Sequence, residues 1–202
     1  MQEEELLEAW RGGDEAAGRQ LLGLCFEPLC RFFRAKVDED VDELIQQTML
    51  VALQNLERLL DAESFRAYLF TIARHELYRH LRKRATLREE IDFSIASIAE
   101  VRTSVSSAVA RNRETTLLVD GLRRLPADEQ IAVELFYWEE FTYAEIAEVL
   151  GVHRDTVKRR LQRARLSLRE ELQTLSEGRP VGEAELLRWT KTAGDDLSRP
   201  AS

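Results

Sequence analysis

Apolar residues recur along this chain every three or four positions and almost never alternate one for one. That period marks helices with a single buried stripe and argues against strands. It predicts a first helix over Glu4–Arg11, closed by Gly12-Gly13, and a second capped by Asp14 with Ala16, Leu21, Leu22 and Leu24 turned inward. Pro28 kinks or restarts that helix before "LCRFFRAKV". "DEDVDELIQQTMLVALQNLERLL" reads as one long helix with a stripe of Leu44, Ile45, Thr48, Met49, Ala52, Leu53 and Leu56; its acidic start suits the positive end of the helix dipole. "SFRAYLFTIARHELYRHLRKR" reads as another, capped by Ser64. Its apolar face is Phe65, Tyr68, Leu69, Ile72, Ala73, Leu77 and Leu81, and its basic face is Arg66, Arg74, Arg79, Arg82, Lys83 and Arg84.

Periodicity weakens from residue 86 to about 110, in a Ser- and Ala-rich stretch where acids outnumber bases. This reads as a linker with at most partial structure. A second helical block follows from Arg113 to about Leu175, and the tail holds a short helix around Glu183–Lys191 with disordered ends. The expected fold is all-α, with two small helical domains joined by a flexible linker. An N-terminal helical bundle spans 1–85, the linker 86–112 and a C-terminal helix-turn-helix domain 113–175, with a tail at 176–202.

Composition sharpens this. The 202 residues suit one medium domain or two small ones. A charged fraction of 33% with only 9 Gly and 4 Pro favours helices with wet faces. The net charge of −8 argues against indiscriminate binding to a nucleic-acid backbone. Cys25 and Cys30 have neither redox nor zinc spacing, so they read as small core residues of a protein in a reducing cytosol. There is no apolar run near the ~18 residues of a membrane span and no signal-peptide start. A cytoplasmic location without membrane insertion is therefore expected. P-loop, GxSxG and HExxH motifs are absent, His75 and His80 do not share a helix face well, and Glu139-Glu140 and Glu170-Glu171 read as exposed helix charge. No enzyme, cofactor or metal is expected.

The charge is unevenly placed, and this points to function. "GVHRDTVKRRLQRARLSLREEL", residues 151–172, carries Arg154, Lys158, Arg159, Arg160, Arg163, Arg165 and Arg169. Just before it, Thr142 and Glu145 form a capping box on a short helix, Tyr143–Leu150, that buries Ile146, Ala147 and Leu150. Gly151 supplies a sharp turn, and the next helix buries Val157, Leu161, Ala164 and Leu168. Two helices joined in this way form a helix-turn-helix, whose second helix enters the DNA major groove. His153, Arg154, Asp155, Thr156, Lys158 and Arg159 lie in its first turns, within reach of base edges. Arg160, Arg163 and Arg165 lie further along, toward phosphates or neighbouring protein.

Together with the first block, these residues resemble extracytoplasmic-function sigma factors, promoter-specificity subunits of bacterial RNA polymerase. "VDELIQQTMLVAL", "SFRAYLFTIARHELYRHLRKR" and "LPADEQIAVELFYWEEFTYAEIAEVLGVHRDTVKRRLQRARLSLREEL" carry the resemblance, in family order. It implies that Asp42, Glu43, Leu44, Gln46, Gln47, Met49 and Leu50 dock on the clamp helices of the largest polymerase subunit, with the flap of the second largest as a further contact. It implies that the loop Leu59–Ser64 (Leu60, Asp61, Ala62, Glu63 and Ser64) captures an unpaired base of the −10 element. Phe65, Arg66 and Tyr68 would flank that base, and Arg74, Arg79 and Arg82 would follow the DNA. The linker, with Glu89, Glu90, Asp92 and Glu100, would run through the polymerase. The recognition helix, with Arg163 among its cations, would read the −35 duplex.

Promoter DNA and an anti-sigma inhibitor are the other partners implied. Phe65 and Tyr68 have an equally simple role as core residues. Gln47 and Met49 stand where the family usually has Glu and Phe, which bears on clamp affinity, Tyr68 replaces the usual Trp, and Asp155 takes a position that is commonly Gly, so promoter sequence cannot be borrowed from relatives. The competing reading is a stand-alone helix-turn-helix transcriptional regulator. For the tail, with Leu186, Leu187 and Trp189, docking on the protein itself, docking on a partner and disorder all remain open.

Overall fold

The computed structural model describes residues 3–84, 91–101 and 113–198, and its regular elements are helices beside one isolated bridge between Ser97 and Pro126. The first block comprises α1 (Glu3–Arg11), α2 (Glu15–Leu24), α3 (Phe26–Arg34), α4 (Val41–Gln54), α5 (Leu56–Asp61) and α6 (Phe65–Arg84). The connecting segment holds one turn, α7 (Ile98–Val101). The second block comprises α8 (Arg113–Arg123), α9 (Ala127–Tyr137), α10 (Tyr143–Leu150) and α11 (Arg154–Leu175), and α12 (Glu183–Ser198) follows it in the tail.

Local chemistry sets most of these boundaries. Asp14 Oδ1 accepts hydrogen bonds from the Ala16 and Ala17 N–H groups at 2.8 and 3.2 Å, opening α2 as expected. The inward set differs by one step. Ala17, Gly18 and Leu21 are buried, while Ala16 and Leu24 face solvent. Gly18 lets the Trp10 indole lie on the α2 backbone, since a Cβ there would sit 2.4 Å from the ring. The single long helix expected from residue 38 to 60 breaks at Asn55, whose Nδ2 donates to the Val51 carbonyl at 2.9 Å. α5 then turns Leu59 fully inward.

The blocks pack against each other through one continuous core. Phe32, Phe70 and Phe141 meet edge to face at centroid distances of 5.4 Å, leading from α3 through α6 to the second block. α9 lies inside. Ile131, Val133 and Leu135 are buried and Phe136 is half-buried, and Asp128, Glu129, Gln130 and Glu134 are buried too. Glu139, expected as exposed charge, is also buried, because Arg31 and Arg66 of the first block reach it. The connecting segment joins in. Phe93 stacks on Tyr78 at 3.9 Å, and Ala127 and Asp128 donate backbone hydrogen bonds to the Ala96 and Phe93 carbonyls. Glu89 and Glu90 lie outside the described residues. Cys25 and Cys30 are free and buried, and burial raises the Cys25 thiol to about 12. No helix among the described residues is long and apolar enough to cross a membrane.

Candidate nucleic-acid interface

The helix-turn-helix forms as its sequence dictates. Thr142 Oγ1 accepts from the Glu145 N–H at 3.3 Å, and Glu145 Oε2 accepts from the Thr142 N–H at 2.8 Å, closing the capping box on α10. Gly151 turns the chain at φ 64°, and His153 caps α11. Val157, Leu161, Ala164, Leu168 and Leu172 are buried beneath α11. On its opposite face His153, Arg154, Asp155, Lys158 and Arg159 are exposed, and Thr156 is half-buried.

The remaining cations of α11 are engaged by protein. Arg160 donates to Asp128 Oδ2 at 2.9 Å. Arg163 pairs with buried Glu129 while most of its side chain stays in water. Arg165 lies over the Phe136 and Tyr137 rings at 5.7 Å, and Arg169 meets Glu183 at 3.5 Å. The reaching set is therefore concentrated in the first turns of the helix.

α4 presents a second surface. Asp42, Glu43, Gln46 and Leu50 are exposed, Gln47 and Met49 are half-buried, and Leu44 is turned into the core. Leu50 and Leu53 leave 49% and 47% of their surface open, an apolar pair on a polar helix. A groove of about 260 Å³ between α4 and α6 is lined by Glu43, Gln47, Glu76, Arg79, His80 and Lys83 among others. Arg79 pairs there with Glu76.

The third candidate set meets the second block directly. The expected loop Leu59–Ser64 is shorter than predicted, because α5 continues to Asp61; it is held by Arg11, which donates to the Leu60 and Ala62 carbonyls at 2.7 and 3.4 Å. Asp61 and Glu63 are exposed, and Leu60 and Ala62 half-buried. Ser64 Oγ caps α6 by accepting from the Ala67 N–H at 3.3 Å and donates to Glu145 of α10 at 2.8 Å. Phe65 is buried against Trp10, with centroids 6.3 Å apart, and Tyr68 is half-buried. Arg66 donates to Glu139 at 2.9 Å and lies over the Phe141 ring at 4.9 Å. Arg74 and Tyr78 both donate to Asp128 Oδ1, at 3.0 and 2.7 Å. Arg82 lies over the Phe93 ring at 5.1 Å. Acids of α9, the segment after it and α10 thus occupy Arg66, Arg74 and the Ser64 hydroxyl, while Arg79 and Arg82 stay exposed. Sequence reasoning missed Asp128, Glu134 and Glu139 as partners, since their counterparts in the first block lie fifty or more residues away.

Comparison with known proteins fits this geometry. Residues 28–86 match the family model Sigma-70 region 2, and residues 116–168 match Sigma-70, region 4. The RNA polymerase sigma factor HrpL of Pseudomonas syringae pv. syringae is 27% identical over 172 residues, covering 83% of this chain and 94% of that protein. The ECF RNA polymerase sigma factor SigL of Mycobacterium tuberculosis is 32% identical over 135 residues, covering 66% of this chain and 75% of that protein. A solved structure, the sigma factor RpoE in complex with the anti-sigma factor NepR from Bartonella quintana, superposes with a TM-score of 0.54 at 25% identity, covering 74% of this chain and 93% of that one. The chain belongs to the extracytoplasmic-function sigma factors of RNA polymerase, which select promoters.

Proposed function

We propose that this sigma factor docks on core RNA polymerase through the open face of α4 and reads promoters with two separate surfaces. Asp42, Glu43, Gln46, Gln47, Met49 and Leu50 form the docking face, which Leu44 supports from beneath. His153, Arg154, Asp155, Thr156, Lys158 and Arg159 read the −35 duplex, with Arg163 on its backbone. The edge from Leu60 to Arg66, continued by Arg74, Arg79 and Arg82, reads the −10 element as a melted strand. Domains at 1–85 and 113–175 carry these two tasks, joined by 86–112. The chain supplies specificity, the polymerase supplies the chemistry, and the complex works in the cytoplasm. An anti-sigma protein is a further partner, in keeping with the structural relative, which is solved in complex with one.

The observation that carries this reading is the exposed first half of α11, seated on a complete helix-turn-helix in a chain that also displays α4. A stand-alone regulator gives α4's open apolar pair no task. In-vitro transcription with bacterial core polymerase on randomised promoters tests the proposal. Two enriched elements are expected with the native chain, and Glu43→Arg with Leu50→Asp should abolish polymerase association. Absence of promoter-specific transcript, or undiminished association of that variant, overturns it.

A further inference from the structure

Residues 176–202 lie beyond both family-model matches, yet α12 is built into the molecule. Its first part grips the second block. Arg188 donates to Glu114 at 3.0 Å, and the Trp138 indole N–H donates to the Thr190 carbonyl at 2.8 Å. Leu186 and Trp189 are buried. Gly194 lies against the Trp138 ring so closely that a Cβ would stand 3.1 Å from it.

Its last turn grips the first block. Arg34 donates to the Leu197 carbonyl at 2.9 Å, and Arg31 donates to Ser198 Oγ. Leu197 has no exposed surface and packs with Ala35 of the first block and Val119 of α8. One helix therefore spans both blocks.

We propose that α12 is an intrachain clasp that holds the two blocks shut and so withholds the −10 edge. Much of the block-to-block contact is polar. Arg31 and Arg66 meet Glu139, Arg74 meets Asp128, Arg123 meets Asp38, and Lys36 meets Glu134. Buried ion pairs of this kind roughly cancel their own desolvation, and partly exposed ones contribute little. The buried face of α12 (Leu186, Trp189, Ala193 and Leu197), tethered to one block and seated on the other, adds apolar burial free of that cancellation, at the high effective concentration of a single chain. Closure covers Ser64, Arg66 and Arg74 but leaves the first turns of α11 and the α4 face in water. The clasp gates the −10 surface and spares the −35 surface and the polymerase-docking face. The closure itself stands on contacts within the chain; its effect on DNA rests on the promoter assignments proposed above.

Two full-length variants test this. Leu197→Asp places a carboxylate in a closed apolar site. Arg34→Ala with Ser198→Ala removes two hydrogen bonds to the last turn and buries no charge. Small-angle scattering of the native chain should give a radius of gyration of about 17 Å, the value for a compact chain of this length. Both variants should be larger while keeping their helical circular dichroism, and affinity for a fluorescent single-stranded promoter oligonucleotide should rise about tenfold for Leu197→Asp. Duplex affinity should stay within about twofold.

If Leu197→Asp loses helix content, the double variant decides. An unchanged radius in the folded variants overturns the clasp. Expansion without a gain in single-strand affinity overturns the gating. Native transcription with core polymerase is measured beside them: its failure, with expansion observed, strikes the promoter reading and leaves the clasp standing.

Discussion

Lys36 shows how far a single residue's role depends on distant partners. It has no exposed surface, and its ammonium lies over the Phe32 ring at 3.7 Å, donating to the Phe32 carbonyl at 2.7 Å and to Glu134. Burial pulls Lys36 below its ordinary value and pushes Glu134 above its own, each opposed by the other's charge. Lys36→Met strands a buried carboxylate and should cost about 3–5 kcal/mol in denaturant unfolding. Adding Glu134→Leu removes that charge as well and should recover at least half, since neither ion then needs desolvating. A double variant as unstable as the single would contradict this account. Nothing near "RAKV" distinguishes Lys36 from exposed Lys83, because the carboxylate that holds it is 98 residues further on. The same distance hid Glu139. Cys25 and Cys30 needed no partner, so their spacing alone placed them in the core.

Elements were legible wherever their signals are local. The capping box, the Gly151 turn and the inward stripe of α11 all sit within a few residues of what they control, and all appear as the sequence predicts. Thr142→Ala should lower stability by about 1 kcal/mol, read as a fall in thermal midpoint. Burial raises the Glu145 carboxyl, but hydrogen bonds from the Thr142 N–H and the Ser64 and Thr142 hydroxyls, with the Arg66 charge, outweigh it and hold the group below its ordinary 4.5. A carboxyl depressed in the folded state stabilises above its unfolded value and loses that contribution as pH falls below it. The advantage of native chain over Glu145→Gln should therefore be present at pH 7 and shrink as pH falls below 4.5 in melts of both proteins. Two elements escaped the sequence. Asn55 splits the expected helix through its own side chain, and α12 runs to Ser198 instead of Lys191. The extra turns include Gly194 and an Asp pair, poor helix formers that hold because Ala193 and Leu197 are buried by docking.

At the scale of the whole molecule, the all-α class and the promoter reading were legible, and the closed arrangement was not. Helical period and motif order are written along the chain, whereas closure depends on which acids of α9 face which cations of α3 and α6. The recognition helix has its own measurable electrostatic signature, set by pairings outside the first block. Of the seven cations from Arg154 to Arg169, four are held by protein groups and Arg154, Lys158 and Arg159 face solvent without a salt bridge among the described residues. With Arg163, largely in water beside Glu129, reaching the backbone as proposed, duplex binding by the free chain should be weak and fall with log salt at a slope of about −3.6, against about −6 if all seven met phosphates. Anisotropy titrations over a salt series read that slope directly, and a value near −6 would show that the held cations are released. The open flank of α4 has a different bearing. Leu50 and Leu53 are in water with the blocks shut, so on the docking role proposed for α4 a shut copy would still occupy an enzyme without starting a transcript. Idle copies then compete with other subunits for a shared machine, and what limits that drain is the number of molecules present rather than their shape.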